Sequence, residues 1–309
     1  MISIVIVNWN SGRLLERCVH SLLRNAPECQ IIIVDNASTD SSLGFAKEIR
    51  AEPVIFRNDR NVGFAAANNI GWRAGKGTHI LFLNPDTECL PESIVHLANA
   101  IAGDPGVWAV GGQLISASGR PQSGFNVRPF PSIGRVAAEM LFIDKVWKAN
   151  PWARANRIAR NTRIMDVDQP AAACLMVTRR ALESIGGFDE GFHPAWFEDV
   201  DLCRRIRNQG GRIQYQPGAR FLHHGGYSLA HLSRQDFLEI FHANQIRYFR
   251  KHYGPAAASR VTRLILMGLF LRSALSLVVS LAPNLSRADS ARMFWGAARH
   301  ILELREAKA

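Results

Sequence analysis

The stretch ISIVIVNWNSGRLLERCVHSLLRNAPECQIIIVDNASTD, residues 2–40, decides the fold. It opens on a short run rich in β-branched residues (ISIVIV, 2–7), passes through a segment of helical length and pattern, and returns to a second such run, IIIVD (31–35). The same composition recurs at PVIF (53–56) and HILFL (79–83). Runs that are apolar throughout suit strands covered on both faces, so the pattern predicts an α/β chain with a mostly parallel central sheet flanked by helices. In such sheets ligands bind beyond the carboxyl ends of the strands. Those ends are polar here: Asn8 to Asn10, Asp35 with Asn36, Asn58 to Asn61, and Asn84 to Asp86.

Working outward, a helix is expected over roughly 91–102 and a strand at VWAVGGQLI (107–115), followed by a Gly/Ser/Pro-rich stretch at 116–134. Basic and aromatic residues then crowd residues 145–163, from Lys145 and Trp147 to Arg163, which reads either as an acceptor-facing insertion or as a solvated basic helix. The apolar AAACLMV (171–177) precedes two polar clusters, GGFDEGFHPAWFEDVDLCRRIRNQG (186–210) and RIQYQPGARFLHHGGYS (212–228). The last quarter has a helical pattern. Its residues 264–282 approach membrane-spanning length but carry Arg272 mid-way, so a helix lying in a membrane interface, its arginines among head groups, is expected instead of a span.

Composition sets bounds on function. The 309 residues are 47% hydrophobic and 20% charged, ordinary for a globular chain, and the net charge of +11 favours partners bearing phosphates. Five scattered cysteines without a CxxC pair suggest neither a disulfide framework nor a zinc knuckle. MISIVIVNWN lacks a basic leader and its apolar run stops at Asn8, so it is expected to be a first strand and not an export signal.

The candidate chemistry clusters at the strand ends. Trp9 offers an aromatic face for a nucleobase, and Asp35 with Asn36 offers acceptors and donors for a pyrimidine edge; each also suits packing or helix capping. Asp86 in FLNPDTECLP is the strongest candidate ligand for a hard divalent cation, with Asn84 beside it, although an isolated NPD is often just a capped turn. Glu198, Asp199 and Asp201 open an apparent helix beside Phe188, Trp196 and Phe197. A macrodipole explains one or two such carboxylates, and one in apolar, aromatic surroundings suits a general base that takes a proton from an attacking hydroxyl. His223 and His224, before a Gly-Gly turn, are candidate metal ligands.

Taken in order, SIVIVNWNS, IIVDNASTD, NVGFAAANNIG, FLNPDTE, GGFDEGFHPAWFEDVDLCRRI and ARFLHHGGYS resemble glycosyltransferase family 2, specifically its rhamnosyltransferase-like branch, over roughly residues 2–228. The resemblance implies a GT-A fold, with residues 1–115 as the nucleotide-sugar half, 116–228 as the acceptor half and 229–309 as a helical extension. It implies an inverting transferase that moves L-rhamnose from dTDP-rhamnose onto a lipid-linked or polysaccharide acceptor at the cytoplasmic face of a bacterial membrane. Donor contacts would come from Val7, Trp9, Asp35, Asn36, Asn61, Gly63, Asn68, Asn69, Asn84 and Asp86. Asp86 and His223 would hold Mg²⁺ or Mn²⁺, Asn84 standing where the family's DxD motif has its first aspartate. Asp199 would be the general base with Glu198 beside it, and Trp196 and Phe197 would meet the acceptor.

Three rivals bear on that expectation. A UDP-sugar donor differs from a dTDP-sugar by one methyl, worth ~1 kcal/mol in an apolar contact. A dinucleotide-dependent dehydrogenase needs a glycine fingerprint after strand one, where VNWNSGRLLERC supplies only Gly12. A nucleic-acid-binding protein is suggested by the positive charge and the Trp-Arg segment at 145–163 and would show steeply salt-dependent binding to generic DNA or RNA; no nucleic-acid partner is expected.

Overall fold

The computed structural model describes residues 1–47, 53–122, 124–143, 163–225, 232–280 and 288–306. The basic aromatic stretch at 145–163 lies outside these, Arg163 excepted.

The expected strands are present as β1 (Ile2–Asn8), β2 (Gln30–Asp35), β3 (Val54–Arg57) and β4 (His79–Leu83), separated by α1 (Arg13–Asn25) and α2 (Phe64–Ala74). β1 pairs in parallel with β2 and with β4, setting Ile4 opposite Ile31 and Leu81, and β2 pairs in parallel with β3. Successive side chains of β1 face opposite layers. Ile4 and Ile6 pack with Leu15, Cys18, Val19 and Leu22 of α1, whereas Val5 packs with Ala65 and Trp72 of α2. Burial on both faces is why these strands read as continuous apolar runs.

The rest of the sheet is built from β5 (Thr87–Cys89), β6 (Val107–Ile115), β8 (Met165–Asp166), β10 (Cys174–Thr178) and β11 (Arg212–His223), with β7 (Val127–Arg128) and β9 (Gln169–Pro170) forming a separate ladder. The strand order is β3-β2-β1-β4-β10-β6-β11-β5, with β8 on β11. β10 runs antiparallel to β4 and β6, so the sheet is mixed though mostly parallel, and both expected halves share it. The end of β11 pairs with β5, setting His223 opposite Thr87 beside the turn that carries Asp86. α3 (Ser93–Ala102), α5 (Arg179–Ile185) and α6 (Glu198–Asn208) complete the layers of this unit.

A second compact unit gathers residues 131–143, 195–197, 232–280 and 288–306. It contains α4 (Ile133–Met140), α7 (Arg234–Ser280) and α8 (Ala288–Glu306). α7 breaks at Gly254, whose φ of +82° no helix accommodates, and resumes at Pro255, a residue suited to a first helical turn. Among the described residues no helix is long and apolar enough to cross a membrane. The expectation for Arg272 is corrected: its guanidinium donates to the carbonyls of Met140 and Glu139 at 2.8 Å each and lies over the Phe142 ring. It caps the end of α4, where unsatisfied carbonyls need donors, and is not displayed to head groups.

Candidate functional site

Side-chain amides tie the carboxyl ends of β1 and β2 together. Asn8 Nδ2 lies 2.7 Å from Asp35 Oδ1 and 2.8 Å from Ser42 Oγ, and the Ser38 N–H donates to Asp35 Oδ2 at 3.3 Å. Asp35 is thereby held in one orientation at the sheet edge, with half-buried Trp9 just past the end of the neighbouring strand. Asn8 was legible only as a polar residue closing an apolar strand; its organising role depends on the β1–β2 register.

Several expected donor contacts are committed to the fold. Asn36 Oδ1 accepts from Asn58 Nδ2 and the Val62 N–H at 3.0 Å each, and its Nδ2 donates to Asn61 Oδ1 at 2.8 Å, while Asn61 Oδ1 also accepts from the Gly63 N–H. Asn69 uses every position of its amide: Nδ2 donates to Phe188 O and Glu190 Oε1, and Oδ1 accepts from Trp72 Nε1 and the Phe188 N–H. Asn68 donates to Phe64 O one turn back. Buried amides must be satisfied, and here the protein satisfies them. Gly63, at φ +87°, makes room for the chain itself: a Cβ there would lie 2.7 Å from His193 Nδ1. Val7 packs in the core with Ile32, Val34 and Ala67. Of the donor set, Trp9, Asp35, Asn84 and Asp86 lie at the carboxyl ends of β1, β2 and β4.

The β4–β5 turn and the end of β11 bring Asp86 and His223 together, both under a tenth exposed. Gln122 Nε2 donates to His223 O at 2.7 Å, which turns Gln122 Oε1 toward His223 Nδ1, also at 2.7 Å. An amide oxygen only accepts, so Nδ1 carries a hydrogen and leaves Nε2 to face Asp86. Nε2 lies 3.5 Å from Asp86 Oδ1, which is buried without a hydrogen-bond partner. Two acceptors so placed repel unless a positive centre, a proton or a cation, lies between them. The residues therefore fit a cation. Asp86 Oδ2 accepts from the Gly225 N–H at 3.1 Å, and Asn84, half-buried, anchors the turn through its carbonyl, which accepts from Thr87 Oγ1. His224 is turned elsewhere, to Glu88 Oε1 at 2.9 Å. Among the described residues no group of three His, Cys, Asp or Glu side chains is arranged around one point.

The three carboxylates of α6 differ in role. Asp201 is fully buried and paired with Arg205 at 2.7 Å, whose guanidinium also donates to Ile185 O, so it holds the helix in place. Asp199 Oδ2 accepts from Gln169 Nε2 at 3.2 Å and lies 3.8 Å from Arg128 Nη2, while Oδ1 accepts from the Val200 N–H. Glu198 is buried with Oε2 unpartnered; burial, then the neighbouring charge of Asp199, pushes its carboxyl well above the usual carboxylate range. A carboxyl raised by burial thus sits beside a carboxylate engaged by hydrogen bonds.

Sequence reasoning missed the segment between these groups. Phe125 stacks on the His223 ring (centroids 5.2 Å apart, 14° between planes), and the Arg128 guanidinium lies over the same Phe125 ring, 5.6 Å from its centroid. Gln122, Phe125 and Arg128 therefore bridge the Asp86–His223 pair and Asp199. They fall within the Gly/Ser/Pro-rich 116–134 stretch, whose composition signals only a loop. The expected acceptor aromatics belong to the helical unit: Phe197 is buried against Phe241 and Tyr248, which makes it a packing residue there, and half-buried Trp196 meets Phe237 edge-on.

Residues 3–180 match the model of Glycosyl transferase family 2. The chain belongs to glycosyltransferase family 2. It resembles N-acetylglucosaminyl-diphospho-decaprenol L-rhamnosyltransferase of Mycobacterium tuberculosis, 29% identical over 244 residues that cover 74% of this chain and 77% of the relative. Rhamnosyltransferase WbbL of Escherichia coli is 24% identical, covering 72% and 83%. This family 2 chain thus falls in the rhamnosyltransferase-like branch. Among solved structures, GalNAc-T7 with UDP, GalNAc and Mn²⁺ superposes with a TM-score of 0.58 at 18% identity, over 96% of this chain and 55% of that one. The mannosyltransferase PcManGT of Pyrobaculum calidifontis, with GDP-Man and Mn²⁺, gives 0.54 at 14% identity over 98% and 86%. These likenesses establish the GT-A fold, and the protein is a glycosyltransferase.

Proposed function

We propose that this glycosyltransferase moves L-rhamnose from dTDP-L-rhamnose onto a lipid-linked or polysaccharide acceptor of the bacterial envelope, inverting the anomeric carbon in one displacement. The observation that carries the reading is the facing pair of acceptors, Asp86 Oδ1 and His223 Nε2, with Asp199 reached from it across Phe125 and Arg128. The sugar is supported by the names of the two rhamnosyltransferases, and a lipid-linked acceptor at the inner membrane face by the decaprenol-linked substrate in the name of the first.

In this reading Trp9 stacks on the thymine and Asp35 accepts from its ring N–H. Asp86 and His223 would hold Mg²⁺ or Mn²⁺, consistent with Mn²⁺ in both structural neighbours, and a cation held there would supply positive charge for the departing diphosphate. Asp199, oriented by Gln169 and Arg128, takes the proton of the acceptor hydroxyl as its oxygen bonds to the anomeric carbon and the bond from that carbon to dTDP breaks, the electron pair leaving with dTDP. Glu198, whose carboxyl burial raises, stands beside the base as a second contact. A panel of nucleotide sugars assayed for nucleoside diphosphate release tests the donor: turnover with dTDP-L-rhamnose is expected, and turnover with UDP-sugars alone would overturn the rhamnosyl assignment.

A further inference from the structure

Twelve Lys and Arg against five Asp and Glu lie in residues 232–309, so this quarter of the chain carries +7 of the net +11. Its helices also expose large apolar side chains. On α7, Met267, Leu271 and Leu275 are 47%, 38% and 47% exposed, and their spacing of four residues sets them along one face. Exposed Arg260 and Arg263 continue that face toward the preceding turns. On α8, Trp295 is 57% exposed between exposed Arg292 and Arg299, three residues before it and four after. The Phe270 and Trp295 rings lie 5.2 Å apart, so the two faces join in one ridge. Val261, Ile265 and Leu269 of α7 and Ala297, Ala298 and Ile301 of α8 are buried on the other side, so packing within the unit already has its own apolar faces and does not need this one.

An apolar ridge of aliphatic residues and a tryptophan, rimmed by arginines, matches a bilayer's headgroup boundary in both polarity and charge. We infer that this ridge docks on an anionic lipid bilayer, Met267, Leu271, Leu275 and Trp295 entering the headgroup boundary while Arg260, Arg263, Arg292 and Arg299 meet lipid phosphates. The helices lie on the surface and do not cross it. Arg299 also reaches Glu303, at 3.5 Å, an exposed pair that a phosphate can replace. The inference rests on the lipid-linked acceptor of the proposed function only for its purpose, because the binding itself needs neither donor nor acceptor.

Flotation of the full chain with vesicles of phosphatidylcholine, alone or with about one-third phosphatidylglycerol, tests it. Binding is expected to the anionic vesicles and to fall with salt. The charge variant Arg260→Glu/Arg263→Glu is expected to lower partitioning by about fivefold or more per arginine, and Met267→Ser/Leu271→Ser/Trp295→Ser by about tenfold or more. All altered positions are solvent-facing, and unchanged thermal melting verifies folding. Equal partitioning of wild type and variants, or of the wild type onto neutral and anionic vesicles, overturns the proposal. So does a dimer that the same substitutions dissolve without any vesicle binding, which would make the ridge an interface between two copies. Because no sugar nucleotide is present, either failure leaves the transferase reading untouched.

Discussion

Asp199 and Glu198 are chain neighbours on the first turn of one helix, yet their surroundings separate them. Gln169, Arg128 and a backbone N–H stabilise negative charge on Asp199, whereas Glu198 has a buried oxygen with nothing to receive. Asp199→Asn is expected to lower kcat by about 10²–10⁴-fold, the usual range for a lost general base, with dTDP affinity by calorimetry nearly unchanged. Glu198→Gln tests the raised carboxyl. A carboxyl raised in the folded state contributes stability at acid pH and loses that contribution as pH rises from the ordinary carboxylate range through its folded value. The variant is therefore expected to melt higher than wild type at neutral pH, with the gain vanishing toward pH ~4 in melts taken across that range. If Asp86 and His223 hold the cation, Asp86→Ala and His223→Ala are each expected to raise the Mn²⁺ concentration needed for half-maximal activity.

The segment from Gln122 to Arg128 is the element in which position matters more than composition. Gln122 fixes the His223 ring by a two-point contact, so Gln122→Ala is expected to weaken Mn²⁺ activation by about 10–100-fold while leaving kcat at saturating metal largely intact. A merely structural defect would lower kcat at every metal concentration. The NVGFAAANN turn illustrates the opposite case. Its asparagines and glycine read as ligand contacts, yet Asn69 fastens Phe188 and Glu190 to α2, Asn61 accepts from Asn36 just past β2, and a Cβ on Gly63 would collide with His193. Asn69→Ala strands the buried Phe188 N–H and is expected to cost about 1–3 kcal/mol, read as a lower denaturation midpoint with unchanged slope. Local composition distinguishes neither case, since an amide that binds ligand and one that binds backbone are the same residue.

The two compact units are expected to respond oppositely to acid. In the helical unit, burial lowers the His242 pKa to about 4, against a hydrogen bond with Gln245 that favours the charged form, with Arg272 adding to the decrease. A histidine depressed in the folded state contributes stability above its unfolded value, and this is lost as pH falls from ~6.5 toward 4, on the order of 3 kcal/mol. Over the same interval protonation of Glu198 favours the folded sheet unit. Hydrogen exchange at pH 7 and pH 4.5 is therefore expected to show protection falling in α7 before it falls in β1 and β4.

By itself the sequence determined the covered, mostly parallel sheet and marked the polar strand ends, with Asp35, Asp86, Asp199 and His223, as the candidate site, because burial on two faces and clustered acids leave marks that local pattern preserves. Tertiary structure alone decided which internal partners those side chains and their neighbours have. Only folding set Asp86 against His223 across 137 residues, spent Asn36, Asn69 and Asp201 on internal partners, turned Arg272 into a helix cap, and brought Gln122, Phe125 and Arg128 out of an unremarkable loop. Hydrogen-bond capacity is finite, and which partner consumes it depends on neighbours distant in the chain.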